Sequence, residues 1–126
     1  MSYHPLKKIG IVTVAVMLCV LASAPLQAAS IQNYVGYVER VQINSNSAGI
    51  CSARISRNPR ITQPTCASFW VTFDCAGDFI SKEVAYRMFD QAQMAAALNR
   101  RVIVTVDENY QKDGVCLASR IDVIED

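Results

Sequence analysis

The chain has 126 residues, 52% of them hydrophobic and 18% charged, with five cysteines, one histidine and a formal charge of +1. That length holds one domain of ordinary size and excludes a multidomain enzyme, a coiled coil and a disordered tail. A charge so close to zero excludes the basic footprint of strong polyanion binding, so no nucleic-acid partner is expected.

At the N-terminus Lys7 and Lys8 precede an apolar run over 9–24, which Pro25 breaks before Leu26-Gln27-Ala28-Ala29. A short basic start, an apolar stretch and small residues at a cleavage position are the three parts of a secretory signal peptide. The expectation is a signal peptide over 1–28 and export to the periplasm or the extracellular medium. The apolar run is shorter than the roughly 20 residues that span the hydrocarbon of a bilayer, so no membrane span is expected in the mature chain. Cys19 is a filler of that run, because Val16-Met17-Leu18 lacks the small residue that lipid modification requires before a cysteine.

Cleavage after Ala28 removes Lys7, Lys8 and His4, moving the charge from +1 to −1 and leaving no histidine. Without histidine there is no Ser–His or Cys–His nucleophile pair and no histidine-containing metal site. No catalytic residue, cofactor or metal is therefore expected. Four cysteines remain, Cys51, Cys66, Cys75 and Cys116, and an even number in a small exported domain reads as two disulfides. A four-thiolate zinc site would need close CxxC pairs, and the sequence has none.

The first element is a strand over 34–43, in which Val35, Tyr37, Val41 and Ile43 share a face and Glu39 is the exception. A loop over 44–49 leads to a second strand over 50–57, with Cys51, Ala53 and Ile55 inward and Ser52, Arg54 and Ser56 outward. Asn58-Pro59 breaks it. The third strand, over 67–75, alternates Phe69, Val71 and Phe73 with Ser68, Trp70, Thr72 and Asp74. Residues 81–98 are helical, since Ala85, Met88, Phe89, Ala92, Ala95 and Ala96 recur on one face. Ser81 or Asp78 is the candidate N-cap and Asn99 the left-handed C-cap. A strand over 102–106, a polar loop over 107–114 and a strand over 115–124 complete the chain.

Three strands, a helix and two strands match the five-stranded Greek-key barrel of the oligonucleotide/oligosaccharide-binding (OB) fold, mainly β with one helix, over residues 29–126. The same order permits an open α+β sheet covered by one helix.

Several segments carry a family likeness: Cys51 and Cys66 around the second strand, Asp90-Gln91-Ala92-Gln93 on the helix, and Val102-Ile103-Val104 after it. With these the layout resembles the receptor-binding B subunits of bacterial AB-type toxins, of the subtilase-cytotoxin and pertussis-like kind, while Val71-Thr72-Phe73-Asp74-Cys75 and Gly114-Val115-Cys116-Leu117-Ala118 resemble segments of small exported proteobacterial proteins. The resemblance implies a binding module, homo-oligomer formation and a glycan ligand. None of the toxins' sugar-contacting residues carries over to a position here.

Two disulfide pairings are open. Cys51 and Cys66 are symmetric about Asn58-Pro59, so a hairpin turning there sets them opposite each other and leaves Cys75 with Cys116. Side-chain parity favours Cys51 with Cys75 and Cys66 with Cys116. Hairpin symmetry and the toxin resemblance together select the first.

Trp70 is the leading candidate binding residue: it is the sole tryptophan, outward on the third strand, with Arg54 on the same side of the second. In OB barrels this face is the usual ligand platform, and an outward aromatic ring stacks a sugar, a base or a peptide side chain. Tyr110 and Lys112, on the fourth interstrand loop, are the next candidates. Asp107-Glu108-Asn109-Tyr110-Gln111-Lys112 departs from a calcium loop, having Lys112 where glycine is required and Ala118 where glutamate is. Arg54, Arg57 and Arg60 read as a solvated face, as do Arg100 and Arg101. Asp74 and Asp78 read as end-of-strand and capping residues rather than an acid–base pair. The leading expectation is a non-catalytic module binding a glycan or protein, followed by a periplasmic inhibitor or immunity protein, with an enzyme last.

Overall fold

The computed structural model describes residues 30–125, so the expected signal peptide lies outside the described residues. The protein is mainly β with one helix. Strands β1 (Ile31–Ile43), β2 (Cys51–Ile55) and β3 (Trp70–Thr72) precede helix α1 (Lys82–Leu98), and β4 (Arg101–Lys112) and β5 (Val115–Ile124) follow it. β1 pairs antiparallel with both β2 and β4, β2 with β3, and β4 with β5, while β3 and β5 run parallel. The ladder thus returns to its first strand and the five-stranded sheet closes on itself.

β1 serves two partners because it is long and bent. Ile31 to Tyr37 pair with β4, and Val38 to Ile43 pair with β2. Between Val38 and Arg40 the register slips, so Glu39 is the extra residue of a β-bulge. The bulge corrects the sequence reading of this strand. Val35 and Tyr37 are exposed, whereas Tyr34, Val38 and Val41 meet the core, because an inserted residue reverses side-chain parity. Where β1 leaves β2, its free edge is capped by side chains: Ser56 Oγ accepts from Tyr37 N at 2.9 Å, and Arg57 Nε donates to Val35 O at 3.1 Å. Gly36 admits this cap, since a Cβ there would stand 2.3 Å from Ser56 Oγ.

The core inside the sheet is built from Val38, Ala53, Ile55, Val71, Phe73, Val102, Val104, Val106 and Ala118. Helix α1 closes it with the expected stripe of Ala85, Met88, Phe89, Ala92 and Ala95, all buried, and Phe89 meets Phe73 at 6.1 Å between ring centroids. Three of these side chains, Ala85, Ala92 and Ala95, are small enough to let the helix pack close to the strands. Ser81 is the N-cap, accepting from Val84 N at 3.3 Å, and Asn99 ends the helix at φ 50°.

Three further expectations are corrected. The segment 107–114 is mostly strand: β4 continues to Lys112, and only Asp113 and Gly114, both at positive φ, make the turn. Tyr110 and Lys112 therefore lie on a strand, not in a loop. β3 spans three residues rather than nine, because Phe69 (φ 64°) and Asp74 (φ 60°) leave extended geometry on either side of it.

The selected disulfide pairing is also overturned: Cys51 joins Cys75, and Cys66 joins Cys116. The register of β2 against β3, Ser52 to Thr72 and Arg54 to Trp70, is centred on Thr62 and not on Asn58-Pro59. The connection is thus a wide loop, and Cys66 is carried away from Cys51. Cys75 instead comes within 5.5 Å of Cys51, Cα to Cα, as core-facing parity requires. Two disulfides are the mark of an oxidising compartment. Among the described residues no helix is long and apolar enough to cross a membrane.

Candidate binding sites

Arg54 and Trp70 are direct cross-strand partners on β2 and β3, flanked by the inward Ala53–Val71 pair. Antiparallel pairing therefore puts both side chains on the outer face of the sheet. Arg54 is held there from two sides. Its Nε donates to Glu39 Oε2 at 3.0 Å, the carboxylate that the β1 bulge turns outward, and its guanidinium carbon lies 4.5 Å from the centroid of the Phe69 ring. Trp70 is half-buried beside it.

Phe69 is the residue that alternation misplaces. A left-handed backbone takes its ring out of the inward set and under the arginine. The backbone is fixed by Ile55 N donating to Phe69 O at 2.8 Å and Phe69 N donating to Asn58 Oδ1 at 3.3 Å. The same Asn58 oxygen caps a 3-10 turn at Pro59–Ile61 by accepting from Arg60 N. Arg57 is engaged at the β1 edge, where its Nε donates to Val35 O.

Beneath this platform the 56–69 connection is anchored by Gln63, fully buried and invisible to sequence reading, which sees a polar residue in a loop. Its Nε2 donates to Ser30 O at 2.7 Å and Val106 O at 2.9 Å, while its Oε1 accepts from the Tyr34 hydroxyl at 2.8 Å. Tyr34 also lies 2.6 Å from Thr62 Oγ1. Burial raises the Tyr34 phenol above its ordinary value, the Thr62 hydrogen bond opposes this, and the Glu108 charge adds to it.

Tyr110 and Lys112 belong to a different place. Trp70 opens β3, whereas these two gather where the chain runs on beyond Thr72. A cleft of about 460 Å³ lies there between the β1–β2 loop (Ser45, Asn46, Ser47, Gly49), the segment after β3 (Ala76, Asp78) and the β4–β5 tip (Lys112, Asp113). Lys112 pairs with Asp78 and sits 5.3 Å from the centroid of the Phe79 ring, and Phe79 meets Tyr110 at 5.2 Å. The Asp78 hydrogen bond raises the lysine pKa, burial opposes it, and the charges of Asp78, Asp74 and Asp113 add to it.

The cleft walls are tied together. Asp113 Oδ2 accepts from Ala48 N at 2.9 Å, and Thr72 Oγ1 donates to Ala48 O at 2.6 Å. Gly49 is required between them: it has φ +67°, and a Cβ would stand 2.5 Å from Thr72 Oγ1 and 3.1 Å from Asp74 Cα. Asp74 is fully buried. Its Oδ2 accepts from Phe79 N at 2.6 Å and Ile80 N at 3.3 Å, and its Oδ1 has no partner. Asp74 is thus a turn anchor, and Asp78 pairs with Lys112 across a half-exposed surface. Among the described residues no cluster of three or more metal-ligating side chains occurs.

Both places bring polar and aromatic side chains together. Comparison with family models, curated proteins and solved structures matches none of them to this chain.

Proposed function

We propose that this chain is an exported, non-catalytic recognition module that holds a glycan or protein ligand on the outer β2–β3 face. The proposal includes an OB-type Greek-key barrel, which the closed 1-2-3-5-4 strand order and the helix between β3 and β4 support. It also includes removal of residues 1–28 and a resemblance to toxin B subunits. The observation that carries it is the Arg54–Trp70 pair with the Phe69 ring under the guanidinium: an aromatic and cationic surface braced by Glu39. Such a surface combines stacking with directional donors.

Glycan-array binding and a pull-down from the native secretome, each run with the wild type and Trp70→Ala, test this reading. Loss of the stacking ring should weaken binding by about 1–3 kcal/mol, by analogy with base stacking. Unchanged affinity together with a large fall in Tm assigns Trp70 to packing and ends the proposal. An intact-mass measurement on exported protein that starts at Met1 ends the cleavage part. The second reading, an inhibitor or immunity protein of the periplasm, draws on the same face. It gains ground if one secreted enzyme is captured and no glycan binds.

A further inference from the structure

The cleft beyond β3 has a charge pattern that the β2–β3 face lacks. Lys112 is the sole cation among its lining residues, and two carboxylates, Asp78 and Asp113, line it as well. Asp74 stands behind the wall at Gly49, fully buried, with Oδ1 unpartnered. Lysine only donates hydrogen bonds and carboxylates only accept them, while the serines and Asn46 do either. The charged lining thus holds two carboxylates to one ammonium, a balance that favours a cationic ligand over an anionic one.

The resident lysine shows how such a ligand sits. Lys112 meets the Asp78 carboxylate and faces the Phe79 ring, which is itself packed on exposed Tyr110. One carboxylate and one aromatic face are the standard surroundings of a bound cation. Lys112 fills that position from within the chain, and its ion pair with Asp78 is half-exposed and so exchangeable. A planar guanidinium suits the remaining acceptors better than an ammonium does. Its forked donors bond a carboxylate through two nitrogens at once, and its face stacks on an aromatic ring. The cleft volume, about 460 Å³, lies within the roughly 300–1,000 Å³ of small-ligand sites.

We propose that this cleft is a receptor for an arginine side chain of a partner protein, whose guanidinium displaces Lys112 from Asp78. The proposal rests on the binding-module reading for its protein partner, but it uses a different part of the surface. Anionic ligands are disfavoured here by the surplus of carboxylate.

The test is an NMR titration of the oxidised protein, following backbone amides at 45–50, 76–79 and 113. The probes are N-acetyl-arginine amide, free arginine, N-acetyl-lysine amide and a neutral methyl hexoside. The arginine amide should move these amides, more than the lysine amide does. Free arginine should bind less well, because its own carboxylate faces Asp78 and Asp113. Lys112→Met should tighten the arginine amide about tenfold by removing the internal competitor, and Asp78→Asn should weaken it about tenfold. Trp70→Ala should leave this titration unchanged, so failure of the β2–β3 reading and failure of this one are told apart.

Silence of the amides in the unaltered protein overturns the proposal, with no variant needed. It is equally overturned if Lys112→Met weakens the arginine amide, if the hexoside is preferred, or if free arginine binds more tightly than the capped form.

Discussion

The connections on either side of β3 do the same job by different chemistry. β3 has only three residues, too few to hold a sheet position by its own ladder, and each flank is clamped by one disulfide and one buried polar side chain. The upstream clamp, Cys66–Cys116 with Gln63, is closed: both ends of the amide are hydrogen-bonded. The downstream clamp, Cys51–Cys75 with Asp74, keeps one carboxylate oxygen unpartnered beside a cleft. A neutral amide that spends its donors and its acceptor only fixes the chain. A buried carboxylate with a spare oxygen fixes the chain and projects charge into its surroundings. The difference separates an anchor whose hydrogen bonds are all made from one that keeps an open acceptor.

Removing the clamps one at a time measures this difference. In the chain-entropy picture, opening Cys66–Cys116, with a sequence separation of 50, should cost about 4 kcal/mol. Opening Cys51–Cys75, with a separation of 24, should cost about half a kcal/mol less. Urea unfolding of the two double-alanine variants gives both values, and a reversed order would mean that local packing outweighs loop length. Next in size is Gln63→Leu, which leaves the Ser30 and Val106 carbonyls without their donor and should cost about 3 kcal/mol. The same unfolding experiment reads it, and the Lys112 region should be undisturbed in an NMR spectrum.

Gly49→Ala should cost about 2 kcal/mol through its positive φ and the overlap with Thr72, and should shift the cleft amides while sparing Trp70 fluorescence. The smallest effect concerns Tyr34. Its raised pKa favours the neutral phenol in the folded chain, so its contribution is full below the unfolded value near 10 and is lost as pH rises through the folded value. Tm measured between about pH 9 and 12 should fall with a shallower slope in Tyr34→Phe than in the wild type.

The helix was legible down to its caps, because the periodicity of Ala85, Met88, Phe89, Ala92 and Ala95 agrees with local propensity. β1 misled at one residue: Glu39 broke the alternation as a bulge, and every face assignment before it reversed. The disulfides show two rules in conflict. Inward parity at Cys51 and Cys75 reflects the fold, whereas symmetry about Asn58-Pro59 assumed a tight hairpin that a wide loop replaces. Of the candidate site, Arg54 and Trp70 are paired across β2 and β3 as alternation requires. Phe69 escaped because a positive φ leaves no mark on a phenylalanine. Gln63 and Asp74 escaped because their burial depends on carbonyls and amides supplied by distant segments.

The double service of β1 bears on how the chain folds. Its second half finds β2 fewer than twenty residues away, but its first half must wait for β4, some seventy residues downstream. Closing a ladder over that separation carries a large entropic cost before any contact is made, which places it late and makes it slow. Until then Ile31, Val35 and Tyr37 present an unpaired apolar strand, the kind of segment that seeds aggregation. Folding therefore favours a chain released whole over one that acquires structure while it is still being made. Expression yield should respond first to substitutions that make this strand less sticky.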